Sequence, residues 1–255
     1  MMPKFVQPTN MLAGLFQLSL IAAVYFGIQL QVSVWWWLSS VFCWGFVYTL
    51  IGNNMGLHRY FSHGHFTCNK VVEYLMLWTG AMLFIGGPLS YAMTHLVHHK
   101  YPDTELDPHG PIRGKRSILM MFQKTVDPKE TPIFSRRMME LQRTYGWLHE
   151  YYLIFVLINA TILYFIDVRV FLFLWWMPAS WSSLLIGWAV WRQHIGMKAN
   201  NTPTANFEPF YEGLHENHHI YPMAPNNAVN PGEIDWTYQY SRLFRVKHNM
   251  KGQPK

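Results

Sequence analysis

The sequence predicts an all-α integral membrane protein with four transmembrane helices in two hairpins and a cytoplasmic cap of histidine-rich helices. Three observations predict it. Charged residues make up only 13% of the 255 residues, roughly half the usual ~25%, and they are clustered. Two long stretches are almost free of charge. Most of the thirteen histidines recur at metal-ligand spacings outside those stretches. A mean hydropathy of +0.02 conceals the pattern because it averages apolar hairpins with a polar cap.

The first stretch, from Phe5 to His58, holds no Asp, Glu, Lys or Arg. One helix needs about 20 residues to cross a bilayer, so the stretch has room for two crossings. A polar break at Gln29, Gln31 and Ser33 divides it into expected spans at Met11–Gln29 and Val34–Gly52. Trp35, Trp36 and Trp37 then fall where an interfacial aromatic belt sits. A second apolar run follows the first almost at once, which disfavours a cleaved signal peptide. Tyr74–Thr94 is also apolar, but Gly86-Gly87-Pro88 interrupts it. It is expected to be an interfacial helix rather than a span. Tyr151–Trp191 is broken only by Asp167-Val168-Arg169, giving expected spans Tyr151–Ile166 and Val170–Val190. Residues 1–255 are expected to form one domain, with a disordered tail over 249–255.

Between Arg59 and Glu150 lie eleven Lys or Arg and eight Asp or Glu. By the positive-inside rule these polar segments, and both termini, belong in the cytoplasm. The net charge of +6 suits anionic headgroups or an acidic partner. Nucleic acid is excluded as a partner, since no basic helix or aromatic–basic module is present. Cys43 and Cys68, the two cysteines, exclude a disulfide scaffold and a cysteine metal cluster.

The function lies in the histidines. His58 and His63 stand five apart, and His95, His98 and His99 form H-x-x-H-H. His215, His218 and His219 repeat that pattern 120 residues later. Positions i, i+3 and i+4 share one helix face, and adjacent residues differ by about 100°, so one helix can serve two nearby ions. Eight imidazoles exceed the needs of one metal. Burying that many without metal would leave ring nitrogens without partners. Imidazole suits iron, zinc, copper and nickel alike, but structural zinc takes four ligands and nothing here favours copper(I). Two metals with open positions at a membrane surface suggest iron that activates O2. All three clusters must meet on one side of the membrane, which again requires that Tyr74–Thr94 not span.

From Gly52 to Pro222 the chain resembles the membrane fatty acid desaturases, most closely the delta-9 acyl-CoA and acyl-lipid branch. Gly56-Leu57-His58-Arg59-Tyr60-Phe61-Ser62-His63 is similar to the family's first histidine box. His95–His99 with the tail Lys100–His109 is similar to the second, and Glu212–Pro222 to the third. The resemblance implies two non-haem irons on nine histidines: His58, His63, His95, His98, His99, His215, His218, His219 and, before the third box, His194. It implies O2 as co-substrate and insertion of a cis double bond into a saturated acyl chain carried by CoA, acyl carrier protein or a lipid. It also implies a separate electron donor such as ferredoxin or cytochrome b5, and the charge of the basic face suits an acidic partner of that kind. Asp103, Asp107, His109, Glu212 and Asn217 are candidates to orient the metal ligands. Animal members place a water-holding Asn four residues before the ninth histidine. Here that position is Val190, leaving Asn53, Asn54 or Asn217 as replacements. His65 is a further candidate beside the metal, whereas His149 and His248 are expected at the surface. The competing readings are a histidine-rich membrane hydroxylase or oxygenase of alkane, sterol or carotenoid type, and a non-enzymatic membrane metal-binding protein.

Overall fold

The computed structural model describes residues 7–108, 118–122, 136–208 and 210–254. The chain begins with α1 (Gln7–Leu18) and α2 (Leu20–Gln29), which run on as one apolar helix. A turn with Gln31 at φ 47° leads into α3 (Val34–His63). Then come α4 (Lys70–Ala81), α5 (Pro88–Lys100), α6 (Arg136–Glu150), α7 (Tyr152–Ile166), α8 (Val168–Gln193), the short α9 (His215–Ile220) and α10 (Trp236–Leu243). The strands β1 (Phe66–Thr67) and β2 (Lys247–His248) pair antiparallel.

Three helices are long and apolar enough to cross a membrane: Asn10–Gln29, Val34–His63 and Val168–Gln193. The α6–α7 pair, bent by 61°, meets the same test when taken together. Helix α7 alone has 15 residues, about 22 Å at 1.5 Å per residue, and falls short of the ~30 Å hydrocarbon. Ile21, Trp35, Ile154 and Phe165 point outward with exposures of 76%, 73%, 54% and 80%. An outer band of this kind matches lipid rather than water.

Two elements differ from the sequence expectation. The helix that carries the span expected over Val34–Gly52 continues to His63, through Gly52 and Gly56, and ends where Gly64 takes φ +65° and caps it. The single interfacial helix expected over 74–94 is instead two helices. Gly87 is extended before Pro88, as the proline ring requires, and Gly86 turns at φ 104°. The tail expected to be disordered is held by contacts up to Gln253. Its amide bonds both ways to the Asn226 backbone, at 3.1 and 3.0 Å.

The core lies where α3 packs on α4, α5 and α6, burying Tyr48, Met55, Leu57, Phe61, Met76 and Leu141. Close approach of α3 and α4 depends on Gly52. A Cβ there would stand 2.9 Å from the Thr79 carbonyl carbon and 3.0 Å from Gly80 N. Backbone cannot yield as a side chain can, so Gly52→Val is expected to pry α4 from α3. The expected loss is about 1–3 kcal/mol, read as a lower thermal midpoint in detergent; an unchanged midpoint would contradict this packing.

Helix α3 also has π-type turns, with i→i+5 hydrogen bonds, over Ser39–Trp44 and Val47–His63. On an α-helix, residues five apart are rotated by about 140°. The wider turn brings such residues nearly into line. This is how His58 and His63 come to face the same site.

Candidate metal centre

Three helix ends and one loop converge above the core. The end of α3 carries His58 and His63. The last two turns of α5 carry His95, His98 and His99, and α9 carries His215, His218 and His219. His194 stands just past the end of α8. These nine rings form two groups. His58, His63, His95, His99 and His218 make one, and His98, His194, His215 and His219 the other, with ligand nitrogens in each group within 4.8 Å of one another.

The rings meet through Nε2. In the first group Nε2–Nε2 separations are 2.9 Å for His58–His218, 2.8 Å for His63–His95 and 3.0 Å for both His95–His99 and His99–His218. In the second, His194–His215 is 2.8 Å and His215–His219 is 3.1 Å. Carboxylates hold the opposite nitrogens. Asp107 Oδ1 lies 2.9 Å from His98 Nδ1, Asp103 lies 3.1 Å from His194 Nδ1, and Glu212 pairs with His58 Nδ1. A carboxylate accepts, so Nδ1 carries the proton on these three rings. Their Nε2 lone pairs therefore point into the groups bare. Converging lone pairs repel unless a cation sits among them, so this donor set fits a metal at each group.

One loop orients two histidines of the second group. Asp107 Oδ2 also accepts from Asp103 N at 2.9 Å, so the carboxylate on His98 fixes the turn that presents Asp103 to His194. Glu212 does similar service for the first group. It bridges His58 to Arg59, whose guanidinium pairs with both oxygens of Asp235 at 2.9 Å each. Arg59 is buried and also donates to Pro225 O. Asp235 was missed in the sequence; its one signal was a position just ahead of α10, where its side chain caps Tyr238 N.

The other candidates divide. Asn217 does not reach a ligand, because its amide is taken up by Asn201, the Asn227 carbonyl and Glu233 in the loop behind α9. His109 lies outside the described residues. His65 is buried in neither group, its ring stacked on His63. His149 and His248, expected at the surface, are half-buried; His248 Nε2 meets Ser241 Oγ at 2.8 Å. Val190 lines a cavity of about 100 Å³ that reaches His58, His95 and His215. Asn53 lines it too, and its Oδ1 has no hydrogen-bond partner among the described residues.

Burial, reinforced by neighbouring imidazoles, holds His95, His99, His215 and His218 well below the usual histidine value. His219 is lowered to about 3 by burial and then His98 and His194. At neutral pH these rings are uncharged and can donate to metal. Burial pushes the Glu212 carboxyl up, but the charge of Arg59 and the contact with His58 outweigh it and hold it at about 2.

A histidine with a depressed folded pKa binds its proton more readily when unfolded. The associated stability is complete above the unfolded value of about 6.5 and is lost as pH falls through the folded one. Protein stripped of metal by chelation is therefore expected to show an unfolding midpoint that drops steadily between pH 6.5 and pH 3. A midpoint flat across that window would show the rings titrating freely.

Comparison with known proteins follows the same lines. The sequence profile described as Fatty acid desaturase matches residues 33–231. The chain is 24% identical over 257 residues to the icosanoyl-CoA 5-desaturase of Limnanthes douglasii, covering 96% of this chain and 70% of that protein. It is 30% identical over 213 residues to the sn-2 palmitoyl-lipid 9-desaturase of Nostoc sp. (strain 36), covering 77% and 74% respectively. It is 26% identical over 209 residues to the chloroplastic palmitoyl-monogalactosyldiacylglycerol delta-7 desaturase of Arabidopsis thaliana, covering 77% and 56%.

Proposed function

The chain belongs to the fatty acid desaturase family and is an oxidoreductase of that class, and from that premise we propose that it places a cis double bond at position 9 of a saturated acyl chain using two irons held by nine histidines. The observation that carries the two-metal reading is the convergence of Nε2 atoms into groups of five and four. Iron is favoured over structural zinc by the donor set: structural zinc takes four ligands, whereas the first group alone gathers five imidazoles.

When bound, the metal supplies the redox chemistry that activates O2 for removal of hydrogen from two adjacent methylenes. The chain's own residues do the rest. Asp103, Asp107 and Glu212 hold the protons on Nδ1 of His194, His98 and His58 and keep each Nε2 aimed inward. Burial of the cluster excludes water from a site that handles a reactive oxidant. The cavity between α3, α5 and α8 holds one carbon–carbon bond beside the histidines, so the fold supplies orientation. Asn53 Oδ1, which has no hydrogen-bond partner among the described residues and lines that cavity, takes over the water-holding place that Val190 leaves vacant.

Position 9 rests on the Lys100–His109 tail and on relatives such as the Nostoc enzyme, against others named for positions 5 and 7. Relatives named for acyl-CoA and for lipid substrates both support a carrier-linked acyl chain. We place both termini and the metal site on the cytoplasmic side of four spans, because the basic residues lie there and only Arg169 on the far side. Ferredoxin or cytochrome b5 is the electron donor in this reading. Expression in cells lacking their own desaturase, followed by mass spectrometry of total fatty acids, tests it. A new Δ9 alkene is expected. A hydroxylated chain without alkene would overturn desaturation in favour of a hydroxylase.

A further inference from the structure

The cavity beside the histidines, at about 100 Å³, is smaller than the roughly 300–1,000 Å³ pockets that hold small molecules. A long saturated chain can enter only if some part of the wall gives way. Most of the wall is helix: Thr49 and Asn53 come from α3, Tyr91 from α5, Ile186 and Gly187 from α8. Each helix satisfies its backbone through its own hydrogen bonds. One part of the wall is of another kind.

Residues 118–122 form a short strap with a single 3₁₀ turn over Met120–Phe122, and Met120 lines the cavity. The strap lies in a fork between α1 and α8. At the base of the fork these helices meet, where Gln17 Nε2 donates to Ser183 O at 2.9 Å. About one turn nearer the histidine end of each helix stand Gly14 and Gly187. A Cβ at Gly14 would lie 2.5 Å from Met121 Cβ and 2.7 Å from Met121 N, and one at Gly187 would overlap the Ile118 carbonyl oxygen. The two glycines make the room that the strap occupies.

Gln17 holds it there. This residue is 1% exposed, although it belongs to the candidate span Asn10–Gln29. A buried amide costs stability unless its hydrogen bonds are made. Gln17 makes them with the strap: Oε1 accepts from Met120 N at 2.8 Å, and Nε2 also donates to Ile118 O at 3.4 Å. Irregular backbone at membrane depth is tolerated only where protein satisfies its polar groups, and here one side chain does so.

The strap is also thin. Ile118, Leu119, Met120 and Met121 are half-buried. On α1 beside it, Met11, Leu15 and Leu18 are 52%, 50% and 42% exposed, an apolar face that suits lipid. The strap therefore parts the cavity from the bilayer by a single layer of residues, held by side-chain contacts rather than by a helix of its own.

Resting on the desaturase reading, we propose that the acyl chain of a membrane lipid enters the histidine cavity sideways through the α1–α8 fork, with Gln17 as the latch on the strap and Met120 as the side chain that gives way. Gln17 is a positioning residue here, acting through the strap. A chain delivered from water as a thioester would leave the strap in place.

Thiol labelling tests the strap without turnover. Met120→Cys is made in a Cys43→Ser/Cys68→Ser background and placed in dioleoyl phosphatidylcholine nanodiscs. Membrane-permeant N-ethylmaleimide is expected to label it at least fivefold faster when Gln17→Leu is added. A charged methanethiosulfonate reagent is expected to stay slow in both. Equal maleimide rates would overturn the latch. Fast labelling by the charged reagent would overturn entry from the bilayer in favour of entry from water. Gly187→Ala, which pushes on Ile118 and leaves Gln17 intact, is expected to match Gln17→Leu and decides the matter if that variant does not fold. A rate in it equal to that of the parent would overturn the strap as the moving wall. Iron-loaded wild type with reduced ferredoxin is then offered stearoyl chains as distearoyl phosphatidylcholine in the nanodisc or as stearoyl-CoA in solution. Alkene is expected from the lipid, and conversion of stearoyl-CoA at an equal or greater rate would overturn the lipid carrier. Alkene from neither substrate, with the labelling as expected, would refute the desaturase reading and leave the strap standing.

Discussion

On the proposed two-iron reading, replacing His98 by alanine is expected to abolish double-bond formation and to halve the bound iron. His98 is one of four histidines in the second group, and its Nε2 lies 3.2 Å from that of His219. Three ligands and a cavity remain, and the buried Asp107 loses the ring that uses its charge. Asp107→Ala provides the graded comparison. It leaves the Nε2 donor in place but frees the ring to rotate and removes the acceptor for Asp103 N, which in turn loosens His194. Loss of such a supporting partner ordinarily costs about 10–100-fold in metal affinity or activity, so this variant should be impaired but measurable. Iron analysis beside product analysis separates the cases. Full activity in His98→Ala would remove the second group from the metal centre.

The second large effect is on folding. Arg59→Leu is expected to collapse the cap, because it strips the counter-charge from two buried carboxylates at once, Glu212 and Asp235. Breaking a buried pair by removing one partner costs about 3–5 kcal/mol, a large part of the 5–15 kcal/mol that a domain has. The double replacement Arg59→Leu with Asp235→Leu should recover part of this loss, since one orphaned charge then disappears. Thermal unfolding in detergent and resistance to limited proteolysis of the segment after Glu212 report both. Equal stability of Arg59→Leu and wild type would mean that the guanidinium is dispensable.

How much of this was legible in the sequence depended on the range of the interaction. The H-x-x-H-H clusters announced themselves because helical spacing alone puts i, i+3 and i+4 on one face. The structure brings them together with His58, His63 and His194. The orienting roles of Asp103 and Glu212 were within reach because each stands in a histidine-bearing segment. Asp235 was out of reach because its partner Arg59 is 176 residues away. Asn217 misled for the opposite reason, since adjacency to His218 says nothing about which side of α9 the amide faces.

By itself the sequence determined that charge-free segments alternate with a polar, histidine-rich remainder, and that imidazoles outnumber what one metal can use. Both follow from composition along the chain, because lipid tolerates few charges and metal requires donors at set spacing. Only the tertiary structure decided that the nine rings divide five and four and that α3 runs through to His63 with wide turns aligning His58 with its partner. It alone decided that Tyr74–Thr94 breaks into two helices, and that the C-terminal segment folds back over the chain after α3. Those outcomes depend on Arg59 meeting Glu212 and Asp235, on Gly52 meeting α4, and on β2 meeting β1. Each is a contact between distant residues, whose partner local pattern cannot name.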